Sequence, residues 1–239
     1  MLKLYIGDVH LKLNKLKNLL KKNESLFDHV VFLGDYFDHF VEGMDGHCTS
    51  EEMAKWLRVN LDNPKYTFLM GNHDIAYRCN YYHSNMCGFT FDKNKRINKI
   101  LTEEDWKKFK YFDITKIKDI YWVASHAGFN RKWWPVYNPI SKLEEMQNAF
   151  INDVHSQLKH PWLQPGNDRG FITQEVGGTL WCDWNMISDI PNVRQIVGHT
   201  PSAFPRVTLH NFNIDTNLDF AGSFSDDESS TAFYTFRTM

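Results

Sequence analysis

The sequence predicts an α/β fold, because apolar, strand-like runs alternate with amphipathic helical segments through its first half. Five of the strand-like runs along the chain are followed at once by a short motif that contains Asp, Asn or His. In an open α/β sheet, ligands bind outside the carboxyl ends of the strands, so we expect these motifs to meet at one edge. A chain of 239 residues, 42% of them hydrophobic, can bury a sizeable core, and we expect a single domain over residues 1–239.

Leucine spacing and capping residues predict the helices. Residues 11–22 repeat leucine close to the 3.6-residue period of an amphipathic helix. Ser141 followed by Glu144 is the pattern of a capping box before an apolar run. In chain order, the helices are expected over residues 11–22, from Thr49 to about Leu61, after Asp74, after Thr102 and over residues 141–159.

The second half of the chain predicts a long loop and then further strands. Residues 160–189 are rich in Gly, Pro, Trp and Asp and lack periodicity, which is typical of a functional loop. Residues 204–210, 211–215 and 231–236 are expected to be antiparallel strands of a second sheet. Residues 223–230 are expected to form an exposed acidic turn.

Composition excludes several classes of protein. A net charge of −2 argues against a general nucleic-acid binder, and we interpret the run from Lys107 to Lys118 as a solvated helix face and loop. No apolar stretch has the length of a membrane span, so we expect no membrane partner. Four cysteines without CxxC spacing favour a reduced, cytoplasmic setting.

The five motifs carry the ligands that divalent metals prefer in hydrolytic enzymes. Asp8 and His10 are two residues apart, so on an extended segment both can face the same ion. Asp35 is an isolated carboxylate that can bridge two ions. The remaining motifs offer the amide of Asn72 and the imidazoles of His126 and His199. Two such ions about 3.5–4 Å apart stabilise the attacking and leaving oxygens of a displacement at phosphorus.

His73 and Asp38 are the candidate proton-transfer pair. His73 follows Asn72 directly, so its side chain is not expected to reach the same ion. A histidine beside a metal site suits the role of general acid for the leaving group. Asp38, three residues after Asp35, is the carboxylate expected to fix the tautomer of His73 and raise its pKa.

Together these motifs resemble those of the calcineurin-like metallophosphoesterases, from Leu4 to about Phe236. The single His199 before Pro201 is similar to the phosphoprotein-phosphatase branch, which includes small phage and bacterial Ser/Thr phosphatases and symmetrical diadenosine tetraphosphatases. The resemblance implies a four-layer α/β/β/α sandwich of two mixed sheets and two divalent ions, Mn²⁺ or alternatively Fe, Zn, Ni or Co. It implies that Asp8, His10 and Asp35 hold the first ion, that Asp35, Asn72, His126 and His199 hold the second, and that Asp38 and His73 form the acid pair. It also suggests a viral or bacterial source.

Two positions depart from the family pattern. Leu11 stands where the family usually has glycine, and His39 stands where the phosphatases have an arginine that clamps phosphate. Imidazole does not replace a bidentate guanidinium like for like. His39 can therefore bind phosphate only when protonated, and we rank Arg169, inside the predicted functional loop, first among other candidate clamps. The two further candidates are Arg78 and Arg194.

The sequence thus predicts a phosphoesterase that hydrolyses phosphate monoesters through hydroxide activated by two metals, in the manner of Ser/Thr protein phosphatases. Its substrate would be a phosphorylated small molecule, a nucleotide or a phosphoprotein. One alternative is hydrolysis of a dinucleoside polyphosphate or other nucleotide, with Trp181 and Trp184 as a stacking rim. Further alternatives are a phosphodiesterase for RNA or cyclic nucleotides and a binding module that keeps the metals without catalysis.

Overall fold

The strands of this protein form two mixed sheets of five strands each. The computed structural model describes residues 2–39, 42–135, 139–170, 174–224 and 233–238. The strands are β1 (Lys3–Ile6), β2 (His29–Phe32), β3 (Tyr66–Phe68), β4 (Asp113–Ile117), β5 (Ile120–Ala124), β6 (Val193–Val197), β7 (Arg206–Val207), β8 (Asn211–Asn213), β9 (Phe220–Phe224) and β10 (Phe233–Arg237). The helices are α1 (Leu13–Asn23), α2 (Ser50–Asn60), α3 (Asn72–Arg78), α4 (Phe91–Asn98), α5 (Glu103–Trp106) and α6 (Pro139–His155).

Each sheet has three neighbouring parallel strands. The first sheet has the order β10-β9-β1-β2-β3, with β1, β2 and β3 parallel. The second has the order β4-β5-β6-β8-β7, with β5, β6 and β8 parallel. Because parallel strands end at the same edge of a sheet, the loops that follow these six strands lie together.

Alternating side chains divide the core into layers. Tyr5 and Val31 face the second sheet, where they join a buried cluster that includes Trp122 and Ile196. Leu4, Ile6 and Phe32 point the other way and belong to a cluster with buried residues of α1 and α2. On the far side of the second sheet, α6 contributes Leu143, Phe150 and Val154 to the core. Helices therefore cover both outer faces, and the predicted four-layer α/β/β/α fold is confirmed.

The predicted helices are present, with changes at their ends. Thr49 caps α2 through a capping box with Glu52, and Thr102 caps α5. The third helix begins at Asn72 rather than after Asp74. The fifth predicted helix begins at Pro139, so Ser141 lies inside α6 and is not the cap that its spacing predicted; this expectation was wrong. Among the described residues, no helix has the length and apolar character needed to span a bilayer.

Strand pairing differs from the sequence expectation in the second half. The strand predicted at residues 231–236 lies in the first sheet, not the second, because β10 pairs with β9 and β9 pairs with β1. β9 includes Ser223, which is buried rather than part of an exposed turn, while residues 225–230 of that predicted turn lie outside the described residues. β8 runs parallel to β6, and β4 occupies part of the lysine-rich segment interpreted as helix and loop. These pairings join residues distant in sequence, which local patterns do not encode.

Candidate metal centre and active site

The loops at the carboxyl ends of the parallel strands bring the predicted ligands together. Asp8, Asp35 and Asn72 follow β1, β2 and β3, whereas His126 and His199 follow β5 and β6. All five side chains are buried. The two halves of the site therefore come from different sheets.

Two glycines allow the close approach of these loops. A Cβ atom at Gly71 would overlap the carboxylate of Asp35, and one at Gly198 would overlap the carboxylate of Asp8. Any larger residue at either position would push a ligand loop away from the opposite strand end. Steric exclusion of a Cβ atom thus explains why glycine occupies the first position of these two motifs.

Asp8, His10 and Asp35 form the first group of ligands. Their ligand atoms lie within 4.8 Å of one another, and His10 Nε2 is 3.8 Å from Oδ2 of each aspartate. His10 Nδ1 lies 2.9 Å from the carbonyl oxygen of Asp38, to which it donates a hydrogen bond. In the neutral ring this leaves the lone pair of Nε2 facing both carboxylates, which is the tautomer that a metal ligand requires.

The backbone at this group is not the extended segment that the sequence predicted. His10 has a φ of 43° and Leu11 a φ of 61°, so a left-handed turn brings the imidazole back toward Asp8. Asp35 and His199 also have positive φ, at 51° and 67°. Residues with a Cβ pay about 1–2 kcal/mol for this conformation, and such strain often concentrates at functional sites.

Asn72, His126 and His199 form the second group. Asn72 Oδ1 lies 2.7 Å from His126 Nε2 and 2.9 Å from His199 Nδ1, and the two ring nitrogens are 3.2 Å apart. His126 Nδ1 lies 2.8 Å from the carbonyl oxygen of Leu33 and donates to it, so Nε2 of the neutral ring is an acceptor. Burial lowers the pKa of His126, which favours that neutral ring. Two acceptors, Nε2 and the amide oxygen, therefore face each other at hydrogen-bond distance without a proton between them.

This geometry fits a divalent cation. Ligands about 2.1 Å from an ion in an octahedral shell lie about 3 Å from one another, close to the spacing of the three atoms in the second group. Carboxylate, amide and imidazole ligands are those that Mn, Fe and Zn accept. A cation between Asn72 Oδ1 and His126 Nε2 would also satisfy both acceptors.

The carboxylates of the site are crowded without enough positive charge to balance them. Burial, and then the charges of Asp215 and Asp35, raise the pKa of Asp8 well above its ordinary value. Burial also lowers the pKa of His10 to about 4, although the carboxylate of Asp35 opposes this shift. The pKa of Asp35 falls to about 2, since the neighbouring imidazoles, above all His126, outweigh the effect of its burial. A bound cation would relieve the repulsion among these groups.

Asp38 and His73 are also in contact, at 3.1 Å between Asp38 Oδ2 and His73 Nδ1. Burial by itself would lower the pKa of His73, but the carboxylates of Asp35 and Asp38 raise it to about 9. Asp38 is held in turn by the hydroxyl of Tyr77 and by Lys93 Nζ at 3.4 Å. The predicted pair is therefore assembled beside the ligands, and its imidazole holds a proton at neutral pH.

Asp74 organises the ligand loops, a role that the sequence analysis missed. Its buried carboxylate accepts hydrogen bonds from the backbone N–H groups of Asp35 at 2.7 Å, Tyr36 at 2.9 Å and Gly71 at 2.9 Å. Burial, with the charge of Asp35, raises the pKa of Asp74 to about 8. Its position three residues after Gly71, at the third residue of α3, is a signal that could have identified it.

A cavity of about 680 Å³ opens over both groups. Its walls include Arg169 and His73, together with Asp215 and Lys12, which the sequence analysis did not single out. Burial raises the pKa of Asp215 to about 6. Trp181 also lines the cavity, with its ring 5.9 Å from that of His199.

Arg169 and His39 lie at the site. Arg169 Nε is 3.1 Å from Asp183 Oδ2, and its Nη2 is 3.3 Å from His199 Nε2. Asp183, which the sequence analysis did not select, thus holds the arginine against the second ligand group. His39 lines a smaller cavity beside His73 and stacks on His47 with ring centroids 3.5 Å apart.

Arg78 and Arg194 lie elsewhere. Arg78 contacts His155, with 2.6 Å between Arg78 Nη2 and His155 Nδ1, and also pairs with Glu103. Arg194 is on β6, with its guanidinium carbon 5.1 Å from the ring centre of Trp122. Neither lines the cavity over the ligands, so the expectation that either clamps phosphate disagrees with their positions.

Comparisons with known proteins agree with this architecture. A cold-active protein-tyrosine phosphatase of the psychrophile Shewanella sp. is similar at a TM-score of 0.63 and 19% identity, over 95% of this chain and 76% of that one. Another structure of a cold-active protein tyrosine phosphatase is similar at a TM-score of 0.60 and 18% identity, over 98% and 78% of the two chains. A protein serine/threonine phosphatase from Saccharomyces cerevisiae matches at a TM-score of 0.43 and 11% identity, over 99% and 80%, which is too distant to support an inference. No curated protein sequence matches this chain.

These likenesses concern the fold, whereas the family follows from the sequence. The model of the calcineurin-like phosphoesterase family matches residues 1–215, a range that contains both ligand groups and the Asp38–His73 pair. Members of this family are metal-dependent hydrolases, in agreement with the ligands gathered at the strand ends. The chain therefore belongs to the calcineurin-like phosphoesterase family and is a hydrolase that acts on phosphoric ester bonds.

Proposed function

We propose that this chain is a single-domain phosphomonoesterase, similar to Ser/Thr protein phosphatases, that works with two divalent cations. Asp8, His10 and Asp35 would hold one ion, and Asp35, Asn72, His126 and His199 the other. The observation that supports a shared ligand is the position of one oxygen: Asp35 Oδ2 lies 3.8 Å from His10 Nε2 and 3.5 Å from His126 Nε2. The same carboxylate oxygen thus faces both groups of ligands.

When bound, the two ions would acidify a water molecule and withdraw charge from the phosphoryl oxygens. Asp35 would set their separation, and its backbone is held by the buried Asp74. Because the ligands lie on loops anchored to both sheets, their geometry is fixed before substrate arrives. Such preorganisation stabilises developing charge without reorganisation during the reaction.

His73 would protonate the leaving oxygen from Nε2. Its Nδ1 is occupied by Asp38, so the other ring nitrogen carries the proton that can be given up. The carboxylate of Asp38 beside Nδ1 favours the protonated ring, which keeps this proton in place before it is transferred. Asp38 would act through His73, by fixing the ring orientation and stabilising its charged form.

Arg169 would supply the cation that the family pattern normally provides at the position of His39. Its guanidinium lines the cavity and lies beside His199, so it can meet a phosphoryl oxygen held over the ions. Asp183 keeps the guanidinium in that orientation. His39 would contribute at the leaving-group side, where it borders the smaller cavity with His73.

A metal-dependent monoesterase assay tests this proposal. Protein stripped with a chelator is assayed on p-nitrophenyl phosphate and on its bis ester, after addition of Mn²⁺, Fe²⁺, Zn²⁺, Ni²⁺ or Co²⁺, with metal content measured. We expect two ions per chain, the highest rate with Mn²⁺ and a preference for the monoester. One ion per chain at full activity would contradict the dinuclear site, and a preference for the bis ester would favour a phosphodiesterase.

The same assay separates the remaining alternatives. Two bound ions without hydrolysis of either ester would support the non-enzymatic binding module. The stacking rim predicted for a base consists of Trp181 and Trp184. Trp181 is only 5% exposed and packs edge-on against His199, whereas Trp184 is half-buried. The burial of Trp181 removes half of that rim and favours the monoesterase over hydrolysis of a dinucleoside polyphosphate.

A further inference from the structure

A groove leads away from the cavity over the ligands and follows the surface of α1. Its volume is about 560 Å³, and it shares Lys12 and Asn217 with that cavity. The two spaces are therefore adjacent, with Lys12 and Asn217 at their boundary. We call this space the α1 groove, and its helix-side wall consists of Lys12, Asn14, Lys15, Asn18 and Lys22, while residues 45–47, Asn217 and Thr238 lie opposite.

The charge of the α1 groove is positive. Lys12, Lys15 and Lys22 are spaced by three and seven residues, so they share one face of the helix. Asp45 is the acidic residue of the wall, and Lys15 also pairs with Asp219 just outside it. With Asp219 counted, three lysines face two aspartates, so the groove keeps a positive balance, carried by Lys12 and Lys22, on a protein whose net charge is −2.

The length of the α1 groove suits an extended peptide. The ten steps from Lys12, which precedes α1, to Lys22 span about 15 Å at the rise of a helix. An extended peptide advances about 3.3 Å per residue, so about four to five residues would cover this distance. The groove thus reaches well beyond a single phosphate bound at the ions.

Asparagine side chains distinguish a peptide from a polyphosphate as the occupant. Asn14 and Asn18 lie between the lysines on the helix side of the groove, and Asn217 lies on the opposite side. An amide side chain both donates and accepts hydrogen bonds, which matches the N–H and C=O groups of a peptide backbone. A polyphosphate offers acceptors alone and would leave each amide oxygen without a donor.

We propose that the α1 groove binds an acidic flank of a phosphoprotein substrate while the phosphorylated residue lies over the metal ligands. This inference rests on the proposed phosphomonoesterase activity and adds a sequence preference to it. Lysine ammonium groups would pair with Asp or Glu residues within about four positions of the phosphorylated residue, on one side of it.

Phosphopeptides and a pair of charge-reversal variants test the inference. Three phosphoserine peptides are compared, with four aspartates before, four aspartates after, or alanines on both sides. Lys22→Glu reverses a charge that lines the groove, whereas Lys21→Glu makes the same change one residue earlier, in the wall of a separate cavity. Both lysines are exposed, so neither variant is expected to unfold the protein.

We expect one acidic flank to raise kcat/KM over the alanine peptide, and Lys22→Glu to reduce that advantage by about two- to fivefold, the upper range of an exposed charge pair. Lys21→Glu should keep the advantage, and both variants should hydrolyse p-nitrophenyl phosphate like the parent protein. Raising the salt concentration should weaken the preference in the parent protein.

Binding of a fluorescent, unphosphorylated acidic peptide provides a readout independent of turnover. Equal peptide affinity in the Lys22→Glu and Lys21→Glu variants would overturn the inference, as would a parent protein that treats all three phosphopeptides alike. Tighter, Lys22-dependent binding of inorganic triphosphate than of the peptide would overturn the peptide assignment. A protein that binds the acidic peptide in the groove but hydrolyses no monoester would contradict the proposed function alone.

Discussion

Buried charge occurs at both ends of strand β1, and the two ends balance it differently. At the start of the strand, Lys3 Nζ lies 2.8 Å from Asp113 Oδ2 and 2.8 Å from Thr115 Oγ1 on the facing sheet. At its other end, Asp8 lies among carboxylates, and Asp215 and Asp35 are the charged groups that most raise its pKa. Opposite charges thus meet at one end and like charges crowd at the other.

The difference separates a structural pair from a ligand site. The charges of Lys3 and Asp113 neutralise each other. This end of the sheets can therefore form without a ligand. The crowded end also carries positive φ at His10, Asp35 and His199, and two acceptors that face each other. Uncompensated charge and backbone strain at the same place indicate that this end was shaped for a cation rather than for stability.

The largest expected effect at the crowded end comes from Asp35→Asn. Because Asp35 Oδ2 faces both ligand groups, the change should remove a shared ligand and lower turnover of p-nitrophenyl phosphate by about 10³-fold or more, the several kcal/mol that metal ions supply. Metal analysis should find less than two ions per chain. Full metal content with a normal rate would show that Asp35 is not a metal ligand.

His73→Asn should lower the rate while leaving the ions in place. We expect a loss of about 10²–10⁴-fold, the usual contribution of a general acid. The loss should be greater for an alkyl phosphate than for p-nitrophenyl phosphate, because a poorer leaving group depends more on protonation. Cys87→Ala, in the wall of the same cavity, is the matched control and should keep the parent rate. An equal loss on both substrates would contradict the acid role.

At the balanced end, Asp113→Ala should affect stability and not catalysis. The side chains of Lys3 and Asp113 are 8% and 13% exposed, so the change leaves a buried ammonium group without its counter-ion. The free energy of unfolding in urea should fall by about 3–5 kcal/mol, the cost of breaking a buried pair. Rate per folded molecule and metal content should be unchanged.

A double variant sharpens this prediction. Lys3→Met with Asp113→Leu replaces both partners by apolar groups and should recover most of the stability that Asp113→Ala loses. If the double variant is no more stable than Asp113→Ala, an uncompensated buried charge does not explain the loss of stability in the single variant.

The smallest expected effect concerns the strained turn at Leu11. Its side chain is fully buried and its φ is 61°, so Leu11→Ala and Leu11→Gly both lose the leucine contacts, but only glycine accepts this φ without strain. Leu11→Gly should therefore be about 1 kcal/mol more stable than Leu11→Ala in urea unfolding, the reverse of the usual order. If Leu11→Ala were instead the more stable of the two variants, the turn would not be strained.

Local sequence patterns predicted the helices and the ligand-bearing strand ends well. The helix start at Thr49 and the leucine period of α1 are set by residues three or four positions apart, and both are present, whereas the capping box predicted at Ser141 is not. Patterns failed for β9 and for the sheet to which β10 belongs. β9 pairs with β1, more than 200 residues away in the chain, and β10 joins the same sheet only through β9, so no local signal specifies these partners.

The motifs that follow the strands were enough to select the candidate ligands and the family, because each donor type stands directly behind an apolar run. The sequence ranked Arg169 first among the arginines only by its place in the predicted loop, and the motifs did not reveal Asp74, Asp183 or the α1 groove. Arg169, Arg78 and Arg194 differ not in chemistry but in what lies beside them. The candidate ligands, the family and most of the helices could therefore be predicted from the sequence alone, whereas α4, β4 and β9 could not. Tertiary structure decided three further features: the carboxylate oxygen that faces both ligand groups, the arginine that lines the cavity, and the place where charge stays uncompensated. Each depends on distances between residues from different strands.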